Sequence, residues 1–215
     1  MSQKPVSPSP VSPSEQTIRV FVAAPIPPPA KLALSKVIES LDGKIPKGVR
    51  WVNPDGIHLT IKFLGDIAPA GVAGITEAMV RAAAQVSPFQ IRLWGLGTFP
   101  NATYPNQRKA RVLWVGVEGD LARLTDLQEI TENELAALGY AKDTRPFNPH
   151  LTLGRVRDRV SEQTRRGIGS AVLGEELEGS EPWLVESVEL IQSNLGPGGA
   201  SYTTLANVSL KGVED

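Results

Sequence analysis

The chain contains two histidines, His58 and His150, and each opens the same phrase: His58-Leu59-Thr60-Ile61 and His150-Leu151-Thr152-Leu153. In each phrase a large apolar residue alternates with a polar one, the period of a strand with one buried and one wet side. His and Thr share the wet face. Leu59, Ile61 and Phe63 in the first copy, and Leu151 and Leu153 in the second, are placed to anchor each strand in a core. A neutral imidazole accepts a proton near neutral pH and a charged one donates it, so two of them face to face supply a general base and a general acid. The hydroxyls of Thr60 and Thr152 can donate hydrogen bonds to an anionic oxygen. A single histidine on a half-exposed strand is ordinarily a surface residue. What points to chemistry is the doubled context, with no histidine spent elsewhere.

Two such rings flanking one phosphorus suit an in-line displacement, one activating water and the other protonating the leaving oxygen. Cations that would neutralise a phosphodiester stand close by: Lys62 follows Thr60 by two residues, on the same face of a regular strand, and Arg155 follows Thr152 by three. Each also reads as ordinary solvated charge, and guanidinium favours Arg155 for phosphate. Competing chemistries leave less trace. There is no G-x-S-x-G elbow, no P-loop and no H-E-x-x-H metal pattern. Neither a metal nor a cofactor is expected. Gly95, Gly97, Gly196, Gly198 and Gly199 read as turns or bulges rather than a dinucleotide fingerprint.

The bulk numbers are compatible with this. At 215 residues the chain is one large domain or two lobes sharing a cleft, with enough length for a real core. A net charge of -1 argues against a nucleic-acid coat protein but leaves room for a local basic cleft. Zero cysteines exclude thiolate nucleophiles and suit a reducing compartment. With no long apolar run and no signal-like N-terminus, no membrane is expected and the predicted location is cytoplasmic.

Residues 1–16 are dominated by Pro and Ser and read as a disordered tail, leaving 17–215 as one folded domain. The patterning then predicts a strand over 17–24 and a helix over 30–41 capped by Gly43. Strands 49–52 and 57–65 are expected to form a hairpin about Asn53-Pro54-Asp55-Gly56, with His58 close to the turn. A helix over 69–86, strands over 89–99 and 111–118, and a helix over 121–138 closed by Gly139 follow. Between the two strands, the polar segment 100–110 with Arg108 and Lys109 reads as an exposed loop near a site. The second His phrase, a helix over 161–173, and strands over 183–193 and 201–210 joined by Gly196-Pro197-Gly198-Gly199 complete the chain. Helix, Pro-containing turn and His strand thus occur twice, 92 positions apart, which fits an α+β protein whose matching strands face each other across a groove.

These paired phrases resemble the two-histidine phosphoesterase superfamily. More narrowly, residues 19–25, 51–65 (with H-L-T-I-K-F-L-G), 95–100, 111–119 and 147–155 (F-N-P-H-L-T-L-G-R) look like the bacterial and archaeal RNA 2′,3′-cyclic phosphodiesterases, once called 2′-5′ RNA ligases. The resemblance implies a bilobal α+β fold with a pseudo-twofold axis, mainly antiparallel sheets lining a central cleft, and helices outside. It implies metal-independent hydrolysis of a terminal 2′,3′-cyclic phosphate to a 2′-phosphate, with minor 2′-5′ ligation as the reverse reaction. His58 would then protonate the departing O3′, His150 activate water, Thr60 and Thr152 hold nonbridging oxygens, and Arg155 add positive charge. Spacing alone does not assign acid and base. Phe63 matches an aromatic position where the terminal nucleoside would be contacted, although alternation places it equally well in the core. Substrates would be RNA ends or cyclic nucleotides, handled by a monomer. Still open are a small-nucleotide substrate such as ADP-ribose 1″,2″-cyclic phosphate or a 2′-5′ oligonucleotide, a non-catalytic RNA-end-binding module, and an interaction protein docking through its Pro-rich tail.

Overall fold

The computed structural model describes residues 17–45, 47–101, 110–175, 177, 180–196 and 199–212. The Pro/Ser tail, Arg108 and Lys109 with most of the 100–110 segment, and the centre of the 196–199 turn lie outside the described residues.

In β1 (Ile18–Ala24) Val20, Val22 and Ala24 enter the main core, while Phe21 and Ala23 on the opposite face form a small apolar cluster with Ile191. Pro28 opens α1 (Pro28–Lys44), where a proline costs no helix hydrogen bond, and Leu34, Val37, Ile38 and Leu41 form its buried face. The helix runs through Gly43, the expected cap, to Lys44. β2 (Val49–Trp51) and β3 (Leu59–Ile67) follow, then α2 (Val72–Ala83), β4 (Phe89–Phe99), β5 (Val112–Gly119) and α3 (Leu121–Ala136). Gly139 stands just beyond α3 with φ of 93°, the left-handed conformation that a helix-terminating glycine adopts without strain. The chain continues through β6 (His150–Val156), α4 (Glu162–Leu173), β7 (Trp183–Val185), β8 (Ser187–Gly196) and β9 (Gly199–Ser209).

The strands form a four-stranded sheet, β3-β1-β8-β9, and a five-stranded sheet, β2-β6-β5-β4-β7, with every pairing antiparallel. α2 packs on β8 and β9 and against α3, and α4 packs on β4. This is the α+β two-sheet architecture expected. None of the helices is long and apolar enough to cross a membrane among the described residues.

Two expectations about connectivity are corrected. β2 and β3 do not pair with each other: β2 joins β6 in one sheet and β3 joins β1 in the other. The Asn53-Pro54-Asp55-Gly56 segment makes a single 3₁₀ turn, with the Asn53 side chain accepting from the Asp55 N–H at 3.2 Å. Such a turn advances the chain instead of reversing it, so the strands it connects are free to enter different sheets. Likewise, the single strand expected over 183–193 is divided at Glu186 into β7 of the five-stranded sheet and β8 of the four-stranded one.

Each His strand carries the same irregularity. Along β3 the register with β1 passes from Ala23 opposite Thr60 to Val22 opposite Lys62, leaving Ile61 as an extra residue. Along β6 the register with β5 passes from Trp114 opposite Thr152 to Leu113 opposite Gly154, leaving Leu153 extra. Both are β-bulges, and a bulge shifts the side-chain alternation by one residue. After it, Lys62 and Gly154 point into the interior while Phe63 and Arg155 return to the face carrying Thr60 and Thr152. Gly154 answers to a close approach, because a Cβ there would lie 2.7 Å from Val49 Cγ1 and 2.9 Å from Trp51 Cε3.

Candidate active site

His58 precedes β3 at the exit of the 3₁₀ turn that crosses between the sheets, and His150 is the first residue of β6. Both, with Thr60, Thr152, Phe63 and Arg155, line one cleft of about 420 Å³, a size typical of small-molecule sites. Phe21 and Ser193 from the four-stranded sheet, Val52, and Tyr202 of β9 complete much of its wall. Among the described residues the lining offers imidazole, hydroxyl, guanidinium and aromatic carbon, with no carboxylate. Among the described residues, no group of three or more His, Asp or Glu converges as a metal would require.

The two imidazoles are held alike. His150 Nδ1 lies 2.7 Å from the carbonyl oxygen of Asn148, two residues before it. A carbonyl only accepts, so Nδ1 carries the proton and Nε2 is the nitrogen available for proton transfer. His58 is hydrogen-bonded to the backbone of Gly56, also two residues before it. Aromatic edges brace both rings: Phe21 and Tyr202 at 5.6 and 4.8 Å from His58, Phe99 and Trp114 at 4.9 and 6.5 Å from His150, centroid to centroid.

Burial holds the His58 pKa below the ordinary histidine value, the nearby Lys31 ammonium adds to that depression, and the Gly56 hydrogen bond partly opposes it. Lys31 is fixed on α1 by donating to the Asp55 carbonyl at 3.1 Å, which ties it to the turn that carries His58. Because a positive neighbour disfavours the imidazolium, Lys31→Met is expected to raise the His58 pKa. With two histidines in the chain, a proton NMR titration of their ring signals reads this directly. An unchanged or lowered value in the variant contradicts the electrostatic account.

Lys62 departs from expectation. A regular strand would have placed it beside Thr60, but the bulge turns it inward, where its Nζ donates to Glu132 Oε2 at 2.6 Å and to the Ala141 carbonyl at 2.8 Å. Its side chain is 3% exposed, that of Glu132 8%, and it does not line the cleft. Phe63 moves the opposite way. Rather than anchoring the core with Leu59 and Ile61, it is 70% exposed in the cleft, 5.7 Å from Phe21. Arg155, which simple alternation would bury, lies in the cleft without a carboxylate partner among the described residues. Arg19, the other cleft guanidinium, pairs with Asp66 at 3.2 Å.

Sequence reasoning passes over Lys31, Phe21 and Trp114. Their spacing is that of ordinary helix and strand residues, and only the packing brings them to the imidazoles.

Two equivalent His-x-Thr strands, bulged at the same place and meeting in one cleft, imply a duplicated unit. The LigT-like phosphoesterase family matches the chain twice, over residues 25–114 and 115–202, one His phrase in each match. The chain belongs to the LigT-like phosphoesterase family. An Archaeoglobus fulgidus protein named RNA 2′,3′-cyclic phosphodiesterase is 33% identical over 87% of this chain and 98% of its own length. A protein of the same name from Geobacillus stearothermophilus is 37% identical over 63% of this chain, and the match spans 41% of that longer protein. Among solved structures, TT0787 of Thermus thermophilus superposes with a TM-score of 0.71 at 26% identity, covering 92% of this chain and all of that one. The two-sheet LigT-like fold is thus common to this chain and its relatives.

Proposed function

We propose that this LigT-like phosphoesterase hydrolyses RNA 2′,3′-cyclic phosphate ends to 2′-phosphates without a metal. The observation that carries this reading is the pairing of His58-Thr60 with His150-Thr152 across one cleft, each imidazole locked by a backbone group two residues before it. The names of the relatives support the RNA end as substrate.

Water attacks phosphorus opposite O3′, so the new P–O bond forms as P–O3′ breaks. His150 takes the proton from water and His58 delivers one to O3′. Thr60 and Thr152 donate to the nonbridging oxygens, and the Arg155 guanidinium faces the charge that builds on them. Burial and Lys31 favour the neutral form of His58 in the free protein. The arriving phosphodiester anion offsets Lys31, favours the imidazolium and loads the acid when substrate is bound. The exposed ring of Phe63 offers a stacking face for the terminal base. Ligation of 2′-5′ linkages is the minor reverse of the same step. We read the protein as a monomer and place it in the cytoplasm, a reducing compartment with which the absence of cysteine is compatible.

The test is incubation with EDTA and an oligoribonucleotide ending in a 2′,3′-cyclic phosphate, with the product terminus identified by mass and phosphatase sensitivity. A 2′-phosphate is expected. A 3′-phosphate, dependence on added metal, or no product from folded protein overturns the reading.

A further inference from the structure

Arg155 on β6 stands directly opposite Arg50 on the edge strand β2, and cross-strand partners share a face of the sheet. Both are exposed, and neither has a carboxylate partner among the described residues. Like charges opposed across a strand pair destabilise it unless something anionic lies over them. Two residues beyond Arg155, Arg157 joins Lys47 and Arg159 in lining a second groove of about 400 Å³. The Arg157 N–H donates to the Gly48 carbonyl at 2.8 Å, which holds the end of β6 against the segment carrying Lys47. Among the described residues, Asp42 is the carboxylate lining this groove, against the three cations Lys47, Arg157 and Arg159, and Asp158 does not line it. Over the whole chain, this cluster included, 22 basic residues stand against 23 acidic, so the cluster is a local excess.

We infer that Arg50, Arg157, Arg159 and Lys47 form a binding path for the phosphates of a single-stranded RNA upstream of its cyclic end, continuing outward from Arg155. This rests on the proposed phosphodiesterase reading, which seats the 3′ end in the cleft and sends the preceding nucleotides over the β2 edge. Guanidinium forks recognise phosphate oxygens irrespective of base, and a cationic groove that follows a backbone is the usual way single strands are held. The substrate class is then a polynucleotide rather than a cyclic mononucleotide, which leaves the second groove empty.

The experiment compares wild type with Arg157→Gln/Arg159→Gln on 2′,3′-cyclic AMP and on an oligoribonucleotide of about ten nucleotides with the same cyclic terminus. The variant is expected to raise KM for the oligomer about tenfold with kcat unchanged and to leave the mononucleotide kinetics as they were. The slope of its log KM against log salt should flatten by about 0.7 for each phosphate that is no longer neutralised. Equal effects on both substrates, or none on the oligomer, overturn the path. Should wild type hydrolyse neither substrate, the phosphodiesterase reading falls. Fluorescence anisotropy with the labelled oligomer then decides the path alone: weaker binding by the variant upholds it, and equal binding overturns it.

Discussion

His58→Ala and His150→Ala are each expected to lower kcat/KM for a 2′,3′-cyclic phosphate end by about 10²- to 10⁴-fold, the usual worth of one general acid or base. The losses should not multiply in the double variant, because a proton donor and an acceptor that act in one displacement fail together. The folded state should survive. His150 is only partly buried, and the ring neighbours of His58 (Phe21 and Tyr202) are also held by contact with each other at 5.9 Å. Circular dichroism and a thermal melt check this beside the kinetics. Either single variant retaining wild-type turnover would remove that histidine from the mechanism.

The largest effect on stability is expected at Lys62. Lys62→Met leaves the Glu132 carboxylate, 8% exposed, with the Gln128 amide at 3.3 Å as its remaining hydrogen-bond donor in the described structure. Breaking a buried pair from one side costs about 3–5 kcal/mol, mostly because the surviving charge is stranded. Removing both charges in Lys62→Met/Glu132→Leu should recover most of that, since desolvation of the pair then disappears with its attraction. Urea unfolding at constant m-value measures the series. A single variant as stable as wild type contradicts the buried geometry. A double variant no better than the single shows instead that the Lys62 bond to the Ala141 carbonyl carries the stability. That bond joins the strand following His58 to the segment leading toward His150, so its removal should also reduce activity more than the folded fraction explains.

The contrast between Lys62 and Arg155 shows how far the sequence can be read. Both are cations near an HxT phrase, and strict alternation favours Lys62, two residues after Thr60, over Arg155, three after Thr152. The bulges at Ile61 and Leu153 invert that order. A bulge has no residue signature in these phrases. It arises because β1 and β5 impose their register on β3 and β6, and which strands pair is a property of the sheet. The same cause explains Phe63, which strict alternation puts on the apolar face with Leu59 and Ile61 and whose neighbours in space are Phe21 and the cleft. The need for Gly154 is hidden from the local sequence, because the Trp51 ring that forbids a side chain there comes from a strand about a hundred residues earlier.

By itself the sequence determined the chemistry and its local supports. Two His-x-Thr phrases on alternating strands, no cysteine, amphipathic helices and the glycine beyond α3 follow from residue type and short-range periodicity, which act within a few positions of the chain. The tertiary structure decided which residues meet. It sent β2 and β3 into different sheets across one 3₁₀ turn, brought His58 and His150 to one cleft, gave Lys31 its influence on His58, and set Arg50 opposite Arg155 at an exposed edge. These are contacts between distant segments, and they depend on strand pairing and core packing that no local pattern specifies.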